Sequence, residues 1–397
     1  MKKRYSIIIA LTLMLFASAL TSLLFAIRYG TLFGNPNVSG YFAGRELSAL
    51  LEIIEEVYIG EYDAAEVSAA ALRAAVDALG DRWSFYMTPE EYARYLEFSE
   101  NQFAGIGVGV AVNEETGGIE VIYTYKGSPA EAAGILAGDV IIGIDGEKID
   151  GYGIDDMHGL IARPIGEMVL IEVVRAGGAV ESVLVEYGIV FSDPISYEML
   201  DGDIGYIRIA NFEGGAADGF ISAVNGLLEQ GARAFVLDVR NNAGGRANEM
   251  TRMLDFLLPE GEIFVSFYKS GHEDIITSGP DMVGIPAIVV VNSFSISAAE
   301  YFAAMLKEYG YAEIVGERTT GKSRFQITHP LPGGGALHIS AGQYLTKNRV
   351  ALHDAGGLVP DHSVALSDEE FKQFMSGNLD ANDDPQLRLA ISLLNDG

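Results

Sequence analysis

The sequence has 397 residues, of which 49% are hydrophobic and 20% are charged, a composition that suits two or three folded domains and excludes a largely disordered chain. Acidic residues outnumber basic ones by 55 to 26, and the formal net charge of −29 argues against a nucleic-acid-binding protein, because such proteins need a basic surface. No cysteine is present, so disulfide scaffolds, thiol catalysis and cysteine-ligated zinc are excluded.

The first thirty residues form a unit of their own. A basic cluster in residues 1–4 precedes residues 5–27, which carry no charge. A run of that length can span the ~30 Å hydrocarbon core of a bilayer, and the basic end should stay in the cytoplasm. We therefore expect a single-pass cell-membrane protein, with a transmembrane signal-anchor over residues 5–27 and the rest of the chain outside the cytoplasm. The alternative is a signal peptide cleaved near the small residues 17–19, but the apolar run is longer than a usual signal core.

A helical region without evident chemistry follows. Residues 28–40 contain a polar stretch with proline and glycine and are predicted to be a linker. Residues 41–102 show apolar positions at helical spacing, and Thr88-Pro89-Glu90-Glu91 is a capping box that begins a third helix. This region and a C-terminal helix near residues 385–394 could support a homodimer.

Short strands and glycines begin at residue 103. Residues 103–107 form a glycine-rich turn before a strand, residues 128–134 a short helix, and residues 136–141 a turn into another strand. Each stretch alone is compatible with an ordinary glycine turn, but in this order they resemble a PDZ domain, which we place at residues 103–187. Such domains bind the terminal carboxylate of a peptide on turn N–H groups and add the peptide to a strand edge. The resemblance implies that the peptide contacts are Phe103, Ala104, Gly105, Ile106 and Gly107.

The remaining part, residues 188–397, alternates strands and helices. Apolar strands are predicted at 234–237 and 288–292, and each is followed by a helix after a polar turn. Repeated strand–helix units are typical of an α/β layer with a mainly parallel sheet.

Two turns in this layer could carry chemistry. Residues 238–245 follow a buried strand and end in glycines; a turn at this edge of an α/β sheet can present N–H groups to an anion, or can be only a strand-to-helix connection. In residues 292–300 a serine-rich turn enters a helix. Ser297 is either a helix cap, since Ser297 and Glu300 have capping-box spacing, or a nucleophile at a helix N-terminus that favours an oxyanion.

A nucleophilic serine needs a base. No histidine lies in a convincing triad setting and no Gly-x-Ser-x-Gly elbow occurs, so Lys322 is the candidate, because a buried lysine loses its preference for the charged form. Residues 316–323 also match the phosphate-binding P-loop pattern. That alternative is weak because a P-loop lysine is followed by a helix, whereas residues 324–332 are strand-like and contain prolines.

From about residue 45 to the end, the order of segments resembles the carboxyl-terminal processing proteases, also called tail-specific proteases, which are Ser/Lys peptidases. The resemblance places the nucleophile at Ser297, the base at Lys322 and a residue that orients the base at Gln326. The backbone N–H groups of Gly244 and Ala298 would form the oxyanion hole. The mechanism of this family requires no metal and no cofactor.

The resemblance also implies a fold and a function. The fold would be a crotonase-like α/β peptidase layer with a preceding PDZ domain, a small N-terminal helical region and one transmembrane helix. The function would be that of a membrane-anchored serine endopeptidase whose PDZ domain recognises proteins or peptides with apolar C-terminal ends. The alternative is a catalytically impaired PDZ scaffold at the membrane, suggested by Ser323, which replaces the family's glycine and would strain the loop if that position needs a positive φ. Ala243 and Ala299 depart from the family pattern too.

Overall fold

The computed structural model describes residues 38–113, 118–149, 151–175, 177–375 and 378–396. The chain divides into two compact units, and the boundary between them falls between Ala78 and Leu79. This boundary lies inside the helical region predicted at residues 41–102. In the first unit the structure describes two helices, α1 (Val38–Val57) and α2 (Ala64–Asp77). The side chain of Asp63 accepts hydrogen bonds from the backbone of Ala65 and Glu66 and so begins α2.

The prediction of a transmembrane helix is corrected here. Residues 5–27 lie outside the described residues, and none of the helices that the structure does describe has both the length and the apolar character to cross a membrane. The longest of those, α1, has 20 residues, but an arginine and four glutamates interrupt its apolar positions. The architecture that the structure supports is an α/β layer with a smaller antiparallel domain before it, as predicted, without the membrane-spanning element.

The part predicted to be a PDZ domain is an antiparallel sheet with two short helices. Its strands pair in the order β3 (Val108–Val112), β4 (Ile119–Thr124), β5 (Val140–Ile144), β7 (Met168–Val174) and β8 (Val180–Glu186), with β6 (Glu147–Lys148) on β5. The helices are α4 (Pro129–Ala133) and α5 (Ile154–Ile161). Val169, Ile171 and Val173 alternate inward along β7 and are fully buried, as expected for a sheet with one covered face. At the base of the domain, β2 (Gln102–Gly105) pairs with β9 (Gly188–Phe191).

The predicted peptidase layer is built on a six-stranded sheet. Its order is β10 (Ile195–Leu200), β11 (Ile204–Ile209), β12 (Ala234–Asp238), β15 (Ala287–Val291), β16 (Ala312–Gly316) and β19 (His362–Ser363), and all neighbours after the β10–β11 hairpin are parallel. Every residue of β12 and β15 is buried, because helices cover both faces. Three helices pack on one face, α6 (Ala216–Glu229), α7 (Ala247–Leu257) and α8 (Ala298–Glu308), and α10 (Pro385–Asp396) packs on the other.

A second, antiparallel sheet lies beside the first. Its strands are β1 (Phe85–Met87), β13 (Gly261–Tyr268), β14 (Glu273–Ser278), β17 (Arg324–Pro330) and β18 (Ala336–Leu345), with β18 paired to β1, β13 and β17. The predicted capping box at Thr88 is present and begins α3 (Pro89–Ser99); α9 (Asp368–Met375) precedes the C-terminal helix. Pairing of Phe85 with His338 brings the segment before α3 next to β18, the second strand after Lys322.

Candidate active site

Ser297 lies between the central strand β15 and helix α8, in a backbone conformation that is rare for a side-chain-bearing residue. Its φ is 58° and its ψ is −116°, which costs of order 1–3 kcal/mol and persists only when neighbours enforce it. The turn before it is held by Ser295, whose hydroxyl donates to the Val239 carbonyl at 2.8 Å, and by the Ile296 N–H, which donates to the Asn242 carbonyl at 2.9 Å. The two turns singled out from the sequence are therefore bonded to each other.

Gly244 lies directly against the serine. A Cβ at this position would be 2.9 Å from the Ser297 Cβ and 3.1 Å from the Ala298 nitrogen, and the φ of Gly244 is +103°, so only glycine fits. Within the described part of the chain the Ala298 N–H has no acceptor, as expected for the first residue of a helix. The Gly244 N–H donates to the Asn242 side chain at 2.8 Å. One of the two predicted oxyanion donors is thus free in this structure, and the other is bonded internally.

A single buried carboxylate joins the serine turn to the lysine loop. Glu300 is fully buried, and its Oε2 accepts the N–H groups of Ser297 at 2.8 Å and Lys322 at 2.9 Å. Its Oε1 accepts the Thr319 hydroxyl and the Gly321 N–H, both at 2.5 Å. The predicted capping role of Glu300 is therefore only part of what it does, because the same side chain fixes the loop that carries the candidate base.

Lys322 has the properties of a base near neutral pH. Burial lowers the pKa of its amine to about 8, against the opposing influence of Asp81 and Glu300 and with a smaller lowering contribution from Arg82. Its Nζ lies 4.4 Å from the centroid of the Trp83 ring, and no hydrogen bond to the Ser297 hydroxyl is present among the described contacts. The amine thus belongs to a loop that shares Glu300 with the serine turn, but it lies over an aromatic ring.

The buried hydroxyl of Tyr344 lies between the two residues. It donates a hydrogen bond to the Lys322 carbonyl. Burial raises the pKa of the Tyr344 hydroxyl, and the Ser297 side chain beside it partly opposes that shift. Tyr344 therefore packs against both the loop of the base and the candidate nucleophile.

Gln326 has different partners from those implied by the resemblance. Its side-chain amide donates to the Ser340 hydroxyl at 3.0 Å and to the Arg324 carbonyl at 3.1 Å, and the described contacts include none to Lys322. Its role in orienting the base stays a prediction.

The loop around Lys322 is not strained at Ser323. The left-handed position is Gly321, with a φ of +85°, and Ser323 is not among the residues of positive φ. Its hydroxyl accepts the His353 N–H at 3.1 Å, so the serine adds a contact instead of distorting the loop. The P-loop alternative also fails on structure, because the residues after Lys322 form the strand β17 and not a helix.

Several residues of this site were missed in the sequence. Trp83, the only tryptophan of the chain, and its neighbour Asp81 come from the region to which we assigned no chemistry. Tyr344 comes from a strand that appeared only structural. The one available signal was the single tryptophan next to charged residues, which alone does not indicate a site.

The predicted peptide-binding residues line a cavity of about 650 Å³ in the PDZ part. All five residues from Phe103 to Gly107 contribute to it, together with Met157, His158 and Ile161 of α5. Arg94 of α3 reaches this cavity from outside the PDZ domain and makes no ion pair within the described residues. The groove therefore offers apolar walls and one cation.

Comparison with known proteins agrees with this arrangement. The profile of peptidase family S41 matches residues 203–364 and a PDZ profile matches residues 120–175, so Ser297, Lys322 and Gly244 fall inside the peptidase match. The carboxyl-terminal-processing protease of Picosynechococcus sp. is 32% identical over 294 residues, which are 72% of this chain and 70% of the relative. The carboxy-terminal processing protease CtpA of Bacillus subtilis is 28% identical over 375 residues, which are 92% of this chain and 80% of the relative.

Among solved structures, one assigned to the S41 proteases of Bacteroides fragilis aligns with a TM-score of 0.54 at 18% identity, over 85% of this chain and 92% of that one, which supports the fold. The 32% identity to the Picosynechococcus relative, over more than two thirds of both chains, shows that this chain belongs to the carboxyl-terminal processing proteases, the PDZ-containing serine-type peptidases of family S41.

Proposed function

We propose that this protease cleaves peptide bonds with Ser297 as nucleophile and Lys322 as general base, after its PDZ groove has bound the C-terminal end of a protein. Two observations together carry the proposal. The Lys322 amine has a pKa of about 8, and the backbone N–H groups of Lys322 and Ser297 donate to the same oxygen of Glu300. At pH 7 a pKa of 8 leaves about one amine in ten uncharged, against about one in three thousand for an ordinary lysine.

In the first chemical step, the uncharged Lys322 takes the proton of the Ser297 hydroxyl as its oxygen attacks the carbonyl carbon of the substrate. The Ala298 N–H at the start of α8 donates to the oxyanion, aided by the positive end of the helix dipole. The Lys322 ammonium then gives its proton to the leaving amine. In the second step Lys322 accepts a proton from water as the water oxygen attacks the acyl carbon. It then returns that proton to the Ser297 oxygen as the ester bond breaks and the acyl group leaves as a carboxylic acid. No metal or cofactor takes part.

The proposal includes two local movements. The Lys322 amine must leave the Trp83 ring to reach the Ser297 hydroxyl, and the Gly244 N–H must turn from the Asn242 side chain to join the oxyanion hole. Both are rotations of single side chains or peptide groups, so the arrangement is compatible with a resting enzyme that becomes active when substrate binds. Gln326 would be free to contact the amine once it has moved.

Substrate selection is proposed to depend on the PDZ groove. The turn Phe103–Gly107 and the apolar side chains of α5 suit an apolar C-terminal residue, and Arg94 supplies a charge for the terminal carboxylate. We expect Arg94→Gln to raise KM several-fold for a peptide with a free C-terminus and to leave KM unchanged for the same peptide with a C-terminal amide. Equal effects on both peptides would contradict this assignment.

We also propose that the protease works outside the cytoplasm. The support is the basic cluster in residues 1–4 followed by the uncharged residues 5–27, a pattern that directs export. Digestion of the protein by an externally added protease in intact cells would support the proposal, and full protection would contradict it. Self-association stays a prediction, which sedimentation of the purified protein tests.

The test of the catalytic proposal is turnover of an unfolded protein with an apolar C-terminus by Ser297→Ala and Lys322→Ala. We expect both variants to lose at least a thousandfold in kcat/KM while keeping the wild-type melting temperature or a higher one. Wild-type turnover in either variant would refute the mechanism. A fluorophosphonate probe that labels the wild type and not Ser297→Ala excludes the alternative of a catalytically impaired PDZ scaffold.

A further inference from the structure

Three consecutive residues before β1, Asp81, Arg82 and Trp83, act on the amine of Lys322. The Trp83 ring centroid lies 4.4 Å from the Lys322 Nζ, and the guanidinium carbon of Arg82 lies 4.3 Å from the same centroid. The Asp81 carboxylate acts on the lysine through its charge. Two cations therefore lie over a single indole ring, and a carboxylate two residues earlier acts on one of them. All three residues come from a segment outside the region that matches the peptidase family profile.

This segment is firmly held against the peptidase sheet. The Asp81 carboxylate accepts the Ser84 hydroxyl at 2.6 Å and the Trp83 N–H at 3.3 Å. The buried Ser84 hydroxyl in turn accepts the N–H of Ser340, a residue of β18, at 3.0 Å. The hydroxyl of Ser340 accepts a hydrogen bond from the side-chain amide of Gln326. The position of the indole is therefore coupled to both strands that follow the lysine loop.

We propose that Asp81, Arg82 and Trp83 are positioning residues for Lys322: the indole seats the amine in the resting enzyme, and the two flanking charges set how readily the amine gives up its proton. The inference rests on the proposed Ser/Lys function, because it assigns a role relative to the base of that mechanism. It extends the site to a segment that sequence comparison of the peptidase domain does not reach.

The direction of each contribution follows from charge. An aromatic face stabilises an ammonium more than a neutral amine, and so does the carboxylate of Asp81, whereas Arg82 favours the neutral amine. The other titratable groups that act on Lys322 are Glu300, which favours the ammonium, and His338. Burial and the lysine charge lower the pKa of His338 to about 4, so that imidazole is neutral where the enzyme is assayed.

The experiment compares the pH dependence of kcat/KM in the full-length protein and three groups of variants, at low ionic strength. Asp81→Asn keeps the acceptor oxygen for Ser84 and removes the charge, so its acidic limb should move to lower pH, with a rate at pH 7 raised roughly threefold relative to the rate at pH 10. Arg82→Gln should move the limb to higher pH, with a comparable loss at pH 7. Trp83→Leu should move it to lower pH, whereas Trp83→Phe, which keeps an aromatic face, should stay close to the wild type.

Opposite shifts for Asp81→Asn and Arg82→Gln support the inference, because a purely structural role would lower all rates without displacing the limb. Limbs that coincide with the wild type in both variants, or that move in the same direction, overturn it. The rate of labelling of Ser297 by the fluorophosphonate probe provides the same pH profile without a substrate, and so covers a variant that binds substrate poorly. Full activity in Lys322→Ala would instead refute the Ser/Lys mechanism itself.

Discussion

The four-donor arrangement around Glu300 leads to the most demanding prediction. In Glu300→Gln the side chain keeps its shape, but one carboxylate oxygen is replaced by an amide NH2 group, which donates hydrogen bonds. Each oxygen of Glu300 accepts two donors, so the NH2 group must face either Ser297 and Lys322 or Thr319 and Gly321. Two buried hydrogen bonds are lost in either orientation, and two donors are left without an acceptor.

The expected cost follows from those two donors. An unsatisfied buried donor costs about 1–3 kcal/mol, so Glu300→Gln should lower the free energy of unfolding by roughly 2–6 kcal/mol. The substitution should also lower kcat/KM by on the order of a hundredfold, which is the loss expected for a misplaced nucleophile. The reason is that the hydrogen bond from the Ser297 N–H to Glu300 helps to hold the serine at a φ of 58°.

The assays are urea unfolding and kcat/KM for the same unfolded substrate, with Glu308→Gln as the matched control. Glu308 lies on the same helix α8 and accepts two hydrogen bonds, from the Thr346 hydroxyl and the Asn348 N–H, but is far less buried. We expect the control to lose little stability and no activity. A Glu300→Gln enzyme with wild-type unfolding midpoint and rate would refute the view that this carboxylate holds the site together.

Three further predictions follow from single positions. Gly244→Ala should abolish activity, because the new Cβ collides with Ser297. The control is Gly231→Ala, at a similar φ of +100° but in open space, which should cost only about 1 kcal/mol of stability and keep the wild-type rate. Equal rates in the two variants would contradict the predicted collision. Lys322→Met should raise the free energy of unfolding by up to about 3 kcal/mol at pH 7. The pKa of Lys322 is lowered to about 8 in the folded protein, so the wild type becomes more stable only as the pH rises from 8 through the ordinary lysine value of about 10.5. Unfolding measured at pH 7 and pH 11 should show that the advantage of the variant over the wild type disappears at the higher pH. Ser323→Gly should lose about 1 kcal/mol through the missing His353 contact without a rise in rate, and a marked increase in kcat would mean that Ser323 does impair the loop.

Much of the site could be predicted from the sequence because its residues lie at element boundaries with local signatures. Ser297 follows an apolar strand and has a capping residue three positions later, and Gly244 follows the polar end of another strand. Parallel strands carry such turns to one edge of the sheet, so proximity of the two turns follows from pattern alone. The capping box at Thr88 was predicted for the same reason, since both of its partners are within four residues.

The transmembrane helix shows where pattern does not decide the architecture. Hydropathy indicates only that residues 5–27 could cross a bilayer, and no membrane-spanning helix is present among the residues described. Likewise the division of the chain after Ala78 could not be predicted from helical periodicity, because the residues that follow join the peptidase sheet through a three-residue strand.

Residue types and their spacing are enough to predict the groups of the candidate site and the order of the strands and helices around them, because these depend on neighbours within a few residues. The environment of Lys322, by contrast, depends on how the whole chain folds. The groups that act on its amine lie in segments up to about 240 residues away in the chain: the Trp83 indole, the Asp81 carboxylate and the Glu300 carboxylate. The pKa of an amine depends on the distances to such groups in space, and no local pattern encodes those distances.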